Sequence, residues 1–282
     1  MRCVLGFDGG GTKTDCVLAV ESSDLRVRAQ AGPSNPFRVG FGTALASLRE
    51  TAHTALGGVH ANAVDVAAVC AGLGGVGQPA DAEKMRALLS VEFPQATIRI
   101  CTDLDLLLAG TPPGPTIIVL AGTGSAAIGR GANGETQRVG GHGPMISDEG
   151  SAYDIGRRAV MAAQREYDRA GKDTELGQRI LREMGSVQWP ELRKRIQSAP
   201  DEVFPRLFSV VAALADNGDQ CAQAILRTSA FKLASIAATL AERLRVTLPN
   251  AQAMSLEISP ADAAANIALE LLRSAKSGAQ PK

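Results

Sequence analysis

The chain has 282 residues, 45% hydrophobic and 21% charged, with 29 Lys and Arg balanced by 29 Asp and Glu. That length can carry a large core or a pair of smaller ones, and the composition excludes a disordered chain and a strongly basic nucleic-acid binder. Aromatic residues are only 4%, so base-stacking platforms are scarce, whereas 30 glycines supply tight backbone turns. No run of eighteen uninterrupted apolar residues occurs, and the opening MRCVLGFDGG lacks a long apolar segment. The expectation is a cytoplasmic chain with no membrane partner. Five scattered cysteines, Cys3, Cys16, Cys70, Cys101 and Cys221, include no C-x-x-C pair and sit among apolar neighbours, the pattern of reduced, buried thiols.

In chain order, Cys3 to Phe7, Thr14 to Val20 and the alternating Leu25 to Ala31 read as three strands, the first two joined by Asp8-Gly9-Gly10-Gly11-Thr12-Lys13. Ala44 to Leu56 carries apolar residues at spacings of three and four and reads as a helix. A strand over Asp65 to Ala71, a helix over Ala80 to Phe93 and a strand over Thr97 to Cys101 follow, the last ending at Thr102-Asp103. Pro112-Pro113-Gly114-Pro115 punctuates the chain, and the pattern then restarts. Thr116 to Ala121 is apolar, Gly122-Thr123-Gly124-Ser125 is a glycine and hydroxyl turn, and Ala126 to Arg130 and Thr136 to Val139 form a hairpin around Asn133-Gly134. From Asp148 onward the composition is helical, with helices expected over Gly150 to Tyr167, Leu176 to Met184, Trp189 to Gln197 and Ala222 to Leu244, and a frayed tail after Gly278. The duplicated strand, glycine turn and strand imply two related domains, 1–112 and 113–282.

Three stretches point to chemistry. The glycines of Asp8 to Lys13 allow positive φ and leave backbone N–H groups uncovered, a concave nest for phosphate to which Thr12 and Lys13 add donors. It is not a Walker A loop, because Thr12 separates Gly11 from Lys13 and a strand follows. Gly122 to Ser125 repeats the pattern in the second unit. Asp103 ends a strand at a strand-to-helix turn, where it either caps the helix or accepts a proton from a hydroxyl nucleophile, with Asp105 as the competing base. In Gly140-Gly141-His142-Gly143…Ser147-Asp148-Glu149-Gly150, the adjacent acids either cap the following helix or hold hydroxyl groups, and His142 is a loop hydrogen-bonder or a substrate contact. Gly72-x-Gly74-x-x-Gly77 superficially fits a dinucleotide fingerprint, but Gln78-Pro79 delays the helix, so the loop, Gly74 included, reads as a wall near a substrate.

Taken together, Asp8 to Thr14, Cys101-Thr102-Asp103, Ala121 to Ser125 and Gly140 to Tyr153 resemble the N-acetylglucosamine kinase family. That family is a branch of the superfamily of actin, hexokinase and the heat-shock chaperone ATPases, which also includes the activator ATPases of benzoyl-CoA reductase and 2-hydroxyacyl-CoA dehydratase. The resemblance implies an α/β chain of two ribonuclease-H-like domains with an interdomain cleft. It implies ATP and Mg²⁺ as cofactors, and transfer of the γ-phosphoryl group to a hydroxyl of an amino sugar, N-acetylglucosamine or glucosamine. By motif match, Asp103 would be the general base and a sugar contact, Asp8 would position Mg²⁺ through water, and Gly10, Gly11, Thr12 and Lys13 would cradle phosphates. Gly122, Thr123, Gly124 and Ser125 would line a second phosphate wall and part of the sugar pocket. Asn35, Gly74, Gly141, His142 and Asp148 would contact the sugar, and Asp219 belongs to the loop near the nucleotide. A homodimer is compatible with this reading.

The sequence departs from the family between the long helix ending near Leu244 and Leu248-Pro249-Asn250-Ala251. The family has there a strand, a Gly-Gly turn contacting adenosine and another helix; here no Gly-Gly pair follows Gly218. The C-terminal domain therefore reads as truncated. Two alternatives stand beside the kinase: a nucleotide-impaired, sugar-binding remnant, and an activator-type ATPase, for which Cys70 and Cys101, in expected strands, are poorly placed as iron–sulfur ligands.

Overall fold

The computed structural model describes residues 1–246 and 259–277. The elements run β1 (Cys3–Gly9), β2 (Thr14–Val20), β3 (Arg26–Ala31), α1 (Pro36–Gly57), β4 (Val66–Leu73), α2 (Pro79–Glu92), β5 (Thr97–Cys101) and α3 (Asp103–Ala109). After the proline-rich punctuation come β6 (Thr116–Ala121), β7 (Ser125–Arg130), β8 (Thr136–Gly140), α4 (Ala152–Ala170), α5 (Glu175–Glu183), α6 (Trp189–Ser198), α7 (Pro200–Val203), α8 (Phe208–Asp216) and α9 (Gln220–Leu244). The last element is α10 (Pro260–Ser277). One compact unit comprises Met1–Pro113 with α10, and the other begins at Gly114.

The first unit is built on a five-stranded sheet of order β3-β2-β1-β4-β5, antiparallel among the first three strands and parallel for β1–β4 and β4–β5. Its two-residue side-chain period divides the core. Leu5 and Phe7 face Ala44, Leu48, Ala52 and Ala55 of α1 with Met85 and Leu89 of α2, whereas Val4 joins Val17, Ala68 and Cys70 beneath α10. Alanines 261, 264, 265 and 268 let α10 approach closely. At Gly6 a Cβ would lie 2.1 Å from the Ala265 backbone nitrogen, so the strand meets the helix backbone directly.

The second unit has a three-stranded antiparallel sheet of order β6-β7-β8, on which α9 lies through Leu240 and Leu244 against Ala127. Its helical core gathers Ile180, Leu192, Leu207, Val211 and Leu214, with Tyr153 set edge-on to Phe204 at 5.0 Å. By length and composition α9 could cross a membrane, which the uninterrupted-run criterion overlooks; its Leu240, Ala241 and Leu244 are buried in the protein.

Three expectations change. Residues 113–282 do not form one unit, because α10 supplies the apolar cover that the face of Val4 and Cys70 requires in the first sheet. The first helix begins at Pro36 instead of Ala44, since Asn35 caps it, and Gly40 interrupts its helical dihedrals with φ of +77°. Cys221 is exposed, unlike buried Cys3, Cys16 and Cys70; all five thiols are free. The departure around Leu248 to Ala251 and the tail after Gly278 lie outside the described residues. Gly6→Ala is expected to destabilise the first unit by about 1–3 kcal/mol or more, measured by denaturant unfolding, because the colliding atoms are backbone and cannot rotate away.

Candidate functional site

The parallel pairs bring three chain segments to one edge of the first sheet. Gly9 stands opposite Leu73 of β4, and Gly72 opposite Cys101 of β5, so Asp8, the loop after β4 and the start of α3 converge at the carboxyl ends of the strands. The turn after β1 is tightly tied. Gly10 N–H donates to Lys13 O at 2.9 Å, Gly10 O accepts from Ser34 and Asn35 N–H at 3.1 Å each, and Gly74 N–H donates to Gly9 O at 2.9 Å. Thr14 Oγ1 lies 2.7 Å from both Gly32 O and Ser34 Oγ. Glycine at position 9 is enforced by packing, because a Cβ would be 2.2 Å from Ser34 Oγ and 2.4 Å from Leu73 Cδ2.

Asn35 accepts at Oδ1 from the N–H groups of Phe37 (3.0 Å) and Arg38 (3.2 Å) as the N-cap of α1. This leaves its Nδ2 amide as a donor near Gly74. A Cβ at Gly74 would be 2.9 Å from Asn35 Nδ2 and 3.5 Å from Asp103 Oδ2, so the bare glycine keeps open a spot bordered by one amide donor and one carboxylate acceptor. The residue that caps α3 is Thr102, not Asp103. Its Oγ1 accepts from Asp105 N–H at 3.2 Å, while Asp105 Oδ2 accepts from Thr102 N–H at 2.9 Å and from Thr102 Oγ1 at 2.8 Å. That reciprocal box involves Asp105; Asp103, one residue into the helix, accepts at Oδ1 from Leu104 N–H at 3.0 Å.

Asp8 is half-buried, and burial, reinforced by the negative charges of Asp103 and then Asp15, pushes its pKa up to about 6 against the partial relief of Lys13. Lys13 itself is ion-paired with Asp15 at 2.8 Å. No group of three or more His, Cys, Asp or Glu that could hold a metal occurs among the described residues. Two mutually repelling carboxylates at a partly open edge do fit a hard divalent cation such as Mg²⁺, which keeps most of its water and takes one or two protein carboxylates.

In the second unit, the turn from β6 to β7 is strapped to the start of α4. Gly122 O accepts from Ala152 N–H at 2.9 Å, Thr123 O from Tyr153 N–H at 3.4 Å, and Ser125 Oγ donates to Glu149 O at 2.8 Å. Ser151 caps α4, accepting from Asp154 N–H at 3.2 Å, so neither Asp148 nor Glu149 has the capping role. Glu149 pairs with Lys232 at 3.1 Å. Asp148 is buried with φ of +64°, a left-handed conformation rare for a residue with a side chain. Burial raises its pKa, opposed by backbone N–H bonds from Ser125 and Gly143 and by nearby Arg138 and His142. At Gly124 a Cβ would stand 2.7 Å from Asp148 Oδ2, so the turn and this carboxylate form one cluster. Gly141 adopts φ of +70° with its carbonyl accepting from Arg138 Nη2, and exposed His142 donates its N–H to Ser147 Oγ at 2.8 Å. Asp219 stands apart as the N-cap of α9, accepting from Ala222 N–H at 2.8 Å.

Two residues beside the first cluster escaped the sequence reading. Phe37 is 89% exposed, and its Cβ lies 2.9 Å from where a Cβ on Gly75 would stand. Arg38 lies over Gly11. The available signal was their position just after Asn35-Pro36, in the first turn of a helix whose expected start lay too far along the chain.

The model of the BadF/BadG/BcrA/BcrD ATPase family matches residues 5–255. An N-acetylmuramic acid/N-acetylglucosamine kinase of Clostridium acetobutylicum is 30% identical over 236 residues, 83% of this chain and 77% of the relative. An N-acetyl-D-glucosamine kinase of Dictyostelium discoideum is 26% identical over 257 residues, 85% of this chain and 79% of the relative. Among solved structures, a proposed N-acetylglucosamine kinase of Chromobacterium violaceum superposes with a TM-score of 0.76 at 23% identity, covering 96% of this chain and 99% of that one. The fold is thus the actin and hexokinase type, with two ribonuclease-H-like units.

The Asp8 shift makes a stability prediction for Mg²⁺-free buffer. A carboxyl whose pKa rises from 3.8 to about 6 on folding favours the fold most below 3.8, and that contribution is lost as pH climbs through about 6. Asp8→Asn is therefore expected to be more stable than the parent at about pH 7.5 by about 1–3 kcal/mol in denaturant unfolding, with the advantage vanishing toward about pH 3.5.

Proposed function

Because the chain belongs to the BadF/BadG/BcrA/BcrD ATPase family, we propose that it is an ATP-dependent sugar kinase whose acceptor is an amino sugar, N-acetylglucosamine or glucosamine. The observation that carries this reading is the spot at Gly74, held open between Asn35 Nδ2 and Asp103 Oδ2. A sugar hydroxyl seated there donates to Asp103 and accepts from Asn35. As the oxygen attacks the γ-phosphorus of ATP, Asp103 takes its proton, the new P–O bond forms, and the bond to the β-phosphate oxygen breaks to release ADP. Mg²⁺, when bound, neutralises charge on the β and γ oxygens. Asp8 would hold that cation, and the N–H groups of Gly11 and Thr12 would take up phosphate oxygens, that of Gly10 being bonded to Lys13 O. Exposed Phe37 offers an apolar face to the sugar ring or its acetyl group. In the second unit, the N–H groups of Thr123 and Gly124 serve as backbone donors and Asp148 as a hydroxyl acceptor, with Gly141 and His142 on the adjoining loop; the N–H groups of Gly122 and Ser125 are taken by Gly124 O and Asp148.

A second reading is a sugar-binding chain with impaired nucleotide binding. It is favoured by the absence of a Gly-Gly pair after Gly218. An activator-type ATPase is disfavoured by the thiols of Cys70 and Cys101, adjacent to each other in β4 and β5, where the mutual hydrogen bond and burial raise the Cys101 pKa. An ATP titration with and without amino sugar, read by calorimetry and ADP release, separates kinase from remnant: sugar binding without ATP binding selects the latter.

Asp103→Asn is expected to lower kcat by about 10² or more, with a modest change in KM. Asp105→Asn is the contrasting variant: it weakens the α3 cap, costing about 1 kcal/mol of stability, and leaves kcat near the parent value. Equal kcat for Asp103→Asn and the parent removes the base assignment.

A further inference from the structure

A turn of backbone N–H groups supplies partial charges but no full one, and a triphosphate calls for a cation. The residue that sequence reading offers, Lys13, extends to Asp15 on the neighbouring strand, 2.8 Å away, with its side chain 58% exposed. Arg38 instead lies on the turn. A Cβ on Gly11 would stand 2.7 Å from Arg38 Nη1 and 2.8 Å from Arg38 Cδ, so stem and guanidinium together cover the Gly11 Cα. The placement is fixed from the backbone. Arg38 N–H donates to Asn35 Oδ1 at 3.2 Å and to Asn35 O at 3.0 Å, and Asn35 N–H donates in turn to Gly10 O at 3.1 Å. A cation in the first turn of a helix also opposes the helix dipole, and α1 has no acidic residue there to offset it. Such a local mismatch suits a position kept for chemistry.

We propose that Arg38, not Lys13, is the cation of the triphosphate turn, its guanidinium holding the terminal phosphoryl group while Asn35, three residues earlier, holds the sugar. This rests on the ATP-dependent reading above and adds a residue to it. The planar fork binds two phosphoryl oxygens at once and stabilises the charge that spreads over them as the group moves from ADP to the sugar oxygen. Arg38 forms and breaks no covalent bond. One structural unit, the Asn35 cap, thereby sets both the acceptor and the phosphoryl group in register.

The test uses the full chain and the variants Arg38→Ala, Arg38→Lys and Lys13→Ala. Binding of ATP and of tripolyphosphate is measured by calorimetry, and kcat and KM with N-acetylglucosamine by ADP release. Arg38→Ala is expected to weaken both anions about tenfold and lower kcat by about 10²-fold, while N-acetylglucosamine affinity without nucleotide stays within about twofold. Arg38→Lys recovers part of the loss, since a point charge cannot fork. Lys13→Ala moves the same constants by a small fraction of that amount. Gly11→Ala, whose methyl would occupy the guanidinium's place, is expected to follow Arg38→Ala. Arg38→Ala with parental anion affinity and kcat overturns the assignment, as does a loss confined to sugar affinity. A parent that binds tripolyphosphate through Arg38 but shows no turnover sinks the kinase and keeps the anion site; a parent that binds neither ATP nor tripolyphosphate sinks both.

Discussion

Everything at the first cluster depends on the parallel pairing of β1 with β4, a ladder buried on both faces. With α1 and α2 on one side and α10 on the other, its strands have no water with which to exchange hydrogen bonds, so the register Gly9 to Leu73 is rigidly held. That register sets Asp8, the Gly74 loop and, through β5, Asp103 at one edge. Glycine makes the convergence close. Gly6 accepts the α10 backbone, Gly9 accepts Ser34 and Leu73, and Gly74 accepts Asn35, each at a distance no side chain tolerates. The abundance of glycine is thus a packing requirement here as much as a matter of turn conformation.

The electrostatics of the cluster follow from the same burial. Burial first, and then the charges of Asp103 and Asp15, resist ionisation of Asp8 and raise its pKa to about 6. Ionising Asp8 therefore costs the fold some stability. Role separation between neighbouring acids is achieved by hydrogen bonding instead of distance. Asp105 closes the capping box with Thr102, and Glu149 pairs with Lys232, whereas Asp148 faces Gly124. Sequence proximity of acids therefore says little about which one acts.

The second unit repeats the first three strands of the first but continues as helices, and among its described residues no strand pairs with the far side of β6. In the first unit the corresponding position is held by β4, whose pairing buries β1; β6 instead has no fully buried residue, with Val119 and Ala121 exposed. The apolar cover of the first sheet is completed by the chain's return as α10. The two units are therefore unequal partners: one has a closed core bearing the carboxylate pair, the other a small sheet with a large helical annex.

The strands, the glycine turns, the hydroxyl-rich loops and the candidacy of Asp8, Asp103 and Asp148 were readable from the amino-acid order, because apolar alternation, glycine clusters and helix-start chemistry are local signals; Asn35 entered only through the family resemblance. Which residue caps each helix, where Lys13 extends, that Arg38 covers Gly11, and that α10 belongs with the first sheet were decided only by the tertiary structure. Each of these depends on a contact between residues that the local pattern does not relate, and the energy that selects it is the burial or charge neutralisation available at that place in the assembled fold. Ser151 and Asp148 show the boundary: both suit a helix cap by composition, and the strap between Ser125 and Glu149 fixes the backbone so that one caps and the other faces Gly124.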